Sequence, residues 1–188
     1  FREVLDAQSS LSTAVKGFVP DSSGLNWLAD HARCWVDLRQ TDAADKRVAL
    51  VLANYPVRNG RLANGVGLDT PASTMNLLKW LAEAGVALGR DSRPDGSQAL
   101  MAQLLSGRSN DPESFHLEPL AYLPLSTYLQ WWRQLTPEAR SLIERRWGSP
   151  EQAVDLEEKG FAVHGLLFGH VAVLIQPSRG YDPDQISD

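Results

Sequence analysis

The sequence holds a single cysteine, Cys34, in 188 residues. A disulfide framework within the chain is therefore excluded, and a cysteine-based metal site nearly so. A lone thiol fits a reducing compartment. Its apolar setting in Cys34-Trp35-Val36 suits a buried structural role, since free cysteine is among the most buried residue types. Long hydrophobic runs are lacking too: no stretch approaches the ~18 apolar residues of a membrane span. No signal peptide is visible, so a cytoplasmic location with no membrane contact is expected. The chain begins with Phe1 rather than methionine, and we expect it to be an internal piece of something longer. Positive charge is not in excess, with 18 Lys and Arg against 23 Asp and Glu and a formal charge of −5. Binding nucleic acid through its phosphates needs a basic face, so no nucleic-acid partner is expected. The short Arg145-Arg146 cluster beside Glu144 reads as a solvated helix face. Internal repeats and low-complexity segments are absent.

What is present suits a globular α/β domain. Hydrophobic residues make up 43% of the chain, and a chain of this size buries roughly 70% of its unfolded surface. Residues 1–20 read as a weakly patterned lead-in. From Ser23 to Gln40 a helical period places Leu25, Leu28, Ala32, Trp35, Val36 and Leu38 together, with Ser22 or Ser23 as the cap. Arg47–Ala53 is a continuous apolar run, as in a strand buried on both faces. A glycine-rich loop, Asn54–Asp69, follows. Thr70-Pro71 then opens a helix with Thr70 as cap and proline at the first position, and Gly85 closes it. Val86–Leu88 is a candidate second strand. Leu100, Met101, Leu104 and Leu105 mark a helix ending at Gly107. Leu117–Leu123 is a candidate third strand with Pro119 counting against it. Ser126 caps a helix running to Leu135, and Thr136-Pro137-Glu138 starts another that ends at Gly148; the two are expected to form a helical hairpin. Alternation along Phe161–Phe168 and again along Val171–Ile175 predicts a β-hairpin turning at Phe168-Gly169.

The predicted fold is α/β: an open, mainly parallel sheet flanked by helices, Rossmann- or flavodoxin-like, with the C-terminal hairpin making the sheet mixed. Residues 1–45 would be a helical lead-in, 46–182 the α/β domain and 183–188 a mobile tail. In such sheets ligands gather at the carboxyl ends of strands. Here that edge carries a glycine-rich loop and a helix N-terminus, which favour an anion, and Arg58 and Arg61 add charge. The spacing matches neither GxGxxG nor GxxxxGK[ST], so a plain structural loop is the alternative, and an anion- or nucleotide-binding domain a further one. The four histidines show no HxxxH or HExxH spacing. His164 and His170 flank the hairpin turn and would make half a metal site if the register brought them together; structural histidines are the alternative.

Several segments taken together resemble one family. KRVALVLANYP (46–56) with NGVGLDTPAS (64–73), LPLSTYLQWWRQLTPEARSLIERRWGSP (123–150) and GLLFGHVAVLIQPSRGYD (165–182) are similar, in that order, to blocks of the large subunit of ATP-dependent cobaltochelatases, the CobN type. The large subunit of magnesium chelatase shares the layout, but its loop and helix start differ in type from residues 64–71 here. The resemblance implies a tetrapyrrole-binding subunit that inserts cobalt, the substrate metal, into a corrin precursor in cobalamin biosynthesis. ATP and magnesium would be used by AAA+ partner subunits and not bound here. Further domains of the large subunit would complete the site, leaving this piece inactive alone. Arg58, Arg61 and Arg179 would pair with corrin carboxylates. Asn54, Tyr55, Asn59, Asn64 and Gln176 would hydrogen-bond to its amide or acid groups. Catalytic residues and metal ligands are not assigned by this reading. Two rivals stand beside it: a magnesium chelatase, and a scaffold that docks neighbouring domains without touching substrate.

Overall fold

The structure is a computed structural model that describes residues 2–6, 15–54, 62, 63, 65, 67–89 and 93–177. It is mixed α/β and divides into two compact units, residues 1–42 and 43–188.

In the first unit β1 (Arg2–Asp6) pairs antiparallel with β2 (Val15–Val19). Helix α1 (Ser22–Gln40) follows. Its cap is Asp21 rather than either serine: the Asp21 carboxylate accepts the Gly24 N–H at 3.2 Å and the Ser23 hydroxyl at 2.9 Å. These hydrogen bonds hold the Asp21 carboxyl below its ordinary range. At the other end the Thr41 hydroxyl donates to the Asp37 carbonyl at 2.7 Å. No residue of α1 is buried, so Cys34, expected inside, is exposed. Its apolar side chains lie open, Trp27 and Trp35 each at 65% exposure. The His31 ring stacks on Trp27 at 5.0 Å and meets Trp35 edge-on at 6.4 Å.

The second unit is built on β3 (Val48–Leu52). Helix α2 (Thr70–Glu83) comes next, then α3 (Ser97–Ser106). Asp69, not Thr70, caps α2 by accepting the Ala72 N–H at 2.9 Å. Thr70 is the first helical residue, and Gly85 follows the helix end as expected. The predicted strand over Val86–Leu88 does not form; Ala87 instead offers its carbonyl to the His170 N–H at 2.7 Å. Strand β4 (Ala121–Leu123) keeps only the part of the third candidate strand beyond Pro119. Helix α4 (Leu125–Trp132) begins at Pro124 with no side-chain cap, so Ser126 lies inside it. Helix α5 (Pro137–Trp147) has the expected cap, the Thr136 hydroxyl accepting the Ala139 N–H at 3.2 Å. Two short strands, β5 (Leu156–Glu157) and β6 (Gly160–Val163), precede β7 (Gly165–Phe168) and β8 (Val171–Ile175).

Strand pairing departs from the single, mainly parallel sheet. Among the described residues there are three small sheets: β1-β2, β3-β8-β7 and β4-β6-β5. The one parallel pair is β3 with β8, Val48 opposite Val171 through Leu52 opposite Ile175. The C-terminal hairpin is β7-β8, with Phe168 opposite Val171 across the two-residue turn Gly169-His170. The expected strand Phe161–Phe168 splits because Gly165 adopts φ +146°. A Cβ there would lie 2.2 Å from the Val173 carbonyl oxygen, so only glycine fits, and the chain passes from one sheet to the other at His164-Gly165.

The core lies on one face of β3-β8-β7. Leu52, Phe168, Val171, Val173 and Ile175 pack there against Leu78 of α2 and Leu100 and Leu104 of α3. The returning loop adds Leu62 and Ala63, the latter donating its N–H to the Ala53 carbonyl at 2.9 Å. Since β-strand side chains alternate, Val51 and Leu174 point to the opposite face. Val51 is 58% exposed, so β3 is covered on one face, not on both.

Candidate functional site

The face of the sheet turned away from the core forms one wall of a cleft of ≈ 1690 Å³. Small-ligand sites commonly measure roughly 300–1,000 Å³, so this cleft has room for a large molecule. Its lining is mostly apolar and rich in rings. Tyr128 and Trp132 come from α4, Trp147 from the end of α5, Phe161 from β6 and Phe115 from the loop after α3. The spacing of Tyr128 and Trp132 follows the i, i+4 rule of a helix face, and their rings stack at 6.3 Å. The Phe161 ring leans on Tyr128 at 5.0 Å. Trp131, the other half of the tryptophan pair, points outward, while Trp132 is buried.

One charged cluster interrupts this apolar wall. The Arg108 guanidinium forms a forked ion pair with Glu157, Nη2 donating to Oε1 and Nη1 to Oε2 at 3.3 Å. It also lies over the Phe115 ring, 5.0 Å from its centroid. The Tyr122 hydroxyl donates to Glu157 Oε2 at 3.2 Å. The Arg108 hydrogen bonds hold the Glu157 carboxyl below its ordinary range, against a smaller opposing effect of burial. Burial, with the hydrogen bond to Glu157 second, pushes the Tyr122 phenol up. His164 lines the same cleft at the corner between sheets. Burial holds its imidazole below the ordinary value, and the Arg108 charge pushes the same way. Its Nδ1 is buried with no hydrogen-bond partner among the described residues.

The loop carrying Arg108 is held by buried serines. Ser109 N–H donates to the Ser114 hydroxyl at 2.9 Å, and that hydroxyl donates to the Asp111 carbonyl at 2.7 Å. The next side chain, Asn110, donates to the Gln176 carbonyl at 2.7 Å. This ties the loop to the carboxyl edge of β8.

Of the residues singled out by sequence, Asn54 and Gln176 come together at the carboxyl ends of the parallel strands β3 and β8. The Gln176 N–H donates to the Leu52 carbonyl at 2.9 Å, and the flanking Ile175 and Pro177 line the cleft. Asn54 is buried, and its Oδ1 has no partner among the described residues. Tyr55, Arg58, Asn59, Arg61, Asn64 and Arg179 lie outside the described residues. The anion site expected at the start of α2 is countered by Asp69, whose own carboxylate occupies that helix end. His164 and His170 do not converge. The His164 carbonyl accepts from Ile175 at one end of the hairpin, whereas His170 sits in its turn. The length of β7, at ~3.4 Å per residue, lies between them. His170 Nδ1 instead meets the Ala44 carbonyl at 2.9 Å. Sequence reasoning missed Arg108, Glu157, Tyr122 and the ring wall, because the partners Arg108 and Glu157 are far apart in the chain and no motif joins them.

Residues 2–187 match the family described as CobN/Magnesium Chelatase. The chain is 42% identical, over 89% of its length, to the aerobic cobaltochelatase subunit CobN of Pseudomonas aeruginosa. It is 37% identical over 90% to that of a Sinorhizobium species, and 29% identical over 85% to the magnesium-chelatase H subunit of Chlorobaculum parvum. The fold matches the catalytic subunit of cobaltochelatase from Mycobacterium tuberculosis with a TM-score of 0.72 and 27% identity, over 95% of this chain and 14% of that one. These matches define a class, subunits of metal chelatases, and the chain belongs to the CobN/magnesium chelatase family. Within it the two cobaltochelatase relatives are more similar to this chain than the magnesium-chelatase relative is. The chain spans 13% of the length of those two cobaltochelatase relatives. Among the described residues no helix is long and apolar enough to cross a membrane.

Proposed function

We propose that this chain is part of the large, tetrapyrrole-binding subunit of an ATP-dependent cobaltochelatase, a ligase forming cobalt–nitrogen bonds, and that its cleft is a wall of the tetrapyrrole site. The observation that carries this reading is the cleft itself, ring-walled and larger than most small-ligand sites, in a chain of this family. A flat conjugated macrocycle buries its faces best against aromatic planes. The substrate would be a corrin precursor, hydrogenobyrinic acid a,c-diamide, with cobalt as the substrate metal. Its acid and amide groups would reach the loop and strand ends, meeting Asn54, Tyr55, Arg58, Asn59, Arg61, Asn64, Gln176 and Arg179. AAA+ partner subunits would hydrolyse ATP with magnesium, the rest of the large subunit would complete the site, and the assembly would work in the cytoplasm. The Rossmann-like reading of the fold belongs to this proposal as well: β3, α2 and the return to β8 make one parallel step that strands elsewhere in the subunit would extend.

Identity favours cobalt over magnesium, at 42% and 37% against 29% for these relatives. A scaffold role has its own support in the open apolar side chains of α1, and it is compatible with a substrate wall in the second unit. The test is titration of the full-length subunit with hydrogenobyrinic acid a,c-diamide, followed through tryptophan fluorescence, since Trp132 and Trp147 line the cleft. Saturable quenching is expected, and Ala162→Trp, which fills the cleft from β6, weakens binding about tenfold, a change of ~1.4 kcal/mol. Unchanged affinity in a folded Ala162→Trp subunit would place the macrocycle elsewhere.

A further inference from the structure

We infer that Arg108 is the acid-reading residue of the cleft, receiving a peripheral carboxylate of the macrocycle, with Glu157 as its internal competitor. This rests on the reading of the cleft as a tetrapyrrole wall and adds which group on the ligand is read, and by what.

Arg108 has donors left over. A guanidinium carries five N–H donors in a fixed plane. Among the described residues Arg108 makes hydrogen bonds only through Nη1 and Nη2, and both go to Glu157. Nε is buried without a partner. The side chain is 9% exposed, so water does little for the remaining donors, and unfilled buried donors carry a desolvation penalty. Packing over Phe115 and the serine-held loop fix the plane of the fork. A fixed, underfilled guanidinium in an apolar wall suits a planar, bidentate anion, which a carboxylate is and a single amide oxygen is not.

Glu157 fits the part of a displaceable occupant. It stands on the two-residue strand β5 and its side chain is 34% exposed, far more than that of Arg108. Tyr122 offers it a second hydrogen bond, so the carboxylate keeps a partner when it yields one edge of the guanidinium. With Glu157 in place the buried cation is neutralised. An incoming carboxylate must displace part of that pair and bear the repulsion of Glu157, but it can take two charge-assisted hydrogen bonds at once, whereas an uncharged ester or amide offers one neutral carbonyl and gains much less from Arg108. No bond is made or broken in this step.

The test uses the full-length subunit and two probes: hydrogenobyrinic acid a,c-diamide and its methyl ester. Wild type is expected to bind the acid more tightly than the ester. Arg108→Gln lowers affinity for the acid about tenfold and narrows its lead over the ester, whose own affinity changes little. Glu157→Gln does the reverse, raising affinity for the acid several-fold with the ester unchanged, a gain that unfolding cannot mimic. Equal binding of acid and ester by wild type overturns the inference while leaving the cleft reading intact. So does an acid preference that Arg108→Gln leaves undiminished. Binding of neither probe by a folded wild type fails the cleft reading instead. Should Arg108→Gln not fold, Glu157→Gln decides alone, and no gain for the acid overturns the inference.

Discussion

At the scale of single residues, burial and charge give predictions of different kinds. Phe168 is almost fully buried on the core face of the hairpin. Phe168→Ala removes a large side chain that its neighbours cannot replace, and is expected to cost ~3–5 kcal/mol, read from urea unfolding. His164 gives a pH signature. Its folded value lies below the ordinary 6.5, chiefly through burial, so the unfolded chain binds the proton more readily. The stability this group contributes is full above 6.5 and is lost as pH falls through that value toward the folded one. Wild type should therefore lose stability between about pH 7.5 and pH 5 more steeply than His164→Gln, and parallel slopes would rule the idea out. Residue scale is also where the sequence was least legible. A lone arginine after a helix-ending glycine looks like a loop charge. Only the fold, which brings β5 alongside β6 and under that loop, turns Arg108 and Glu157 into a pair. The position of Asn54 and Gln176 at strand ends was legible because both follow apolar runs with the pattern of strands.

Among the elements, the helices read well and the strands less so. Helix α5 announced itself through Thr136-Pro137, and α2 through Thr70-Pro71, though its cap proved to lie one position earlier. Asp69→Ala removes the carboxylate that accepts the Ala72 N–H and should cost ~1 kcal/mol, seen as a lower thermal midpoint. The strands failed where alternation alone was used. Phe161–Phe168 alternates without interruption, and nothing in that pattern reveals the change of sheet. The cause is conformational: Gly165 turns the backbone where a Cβ would strike the Val173 carbonyl. Gly169 in the hairpin turn is likewise constrained: φ is +57°, and a Cβ added there would stand 2.4 Å from the Ala87 carbonyl oxygen. Gly169→Ala should therefore cost more than the ~1–2 kcal/mol of left-handed backbone alone, because the segment after α2 must also move. Chemical denaturation that shows a loss below ~1 kcal/mol would mean the turn relaxes freely.

For the whole molecule, the sequence made the α/β class legible, but not the number of sheets. Short apolar runs do not state their partners, and the pairing of β3 with β8 spans most of the second unit. Nor does the helical pattern of α1 by itself show that its apolar face lies open, which is what the scaffold reading expects. A helix with an apolar stripe predicts burial, yet Trp27, Leu28 and Trp35 on α1 are exposed. Contiguous apolar surface of this kind marks a contact face. A solution of this chain is expected to bind an apolar fluorescent dye and to self-associate as concentration rises. Trp27→Ser with Trp35→Ser should reduce both, by dye titration and sedimentation, without lowering the unfolding midpoint, because neither ring is part of a buried core.

The parallel pairing of β3 with β8 has a consequence for the order in which the protein can be made. Val48 leaves the ribosome long before its partner Val171, by ~120 residues, or roughly 6–25 s at ordinary synthesis rates. Until β8 arrives, α2 and α3 have no finished sheet to cover, and the apolar edge of β3 waits uncovered. The central strand of β3-β8-β7 is the last of the three to be delivered, so the nascent chain passes through a window in which the core face of β3 lies open until the β7-β8 hairpin arrives.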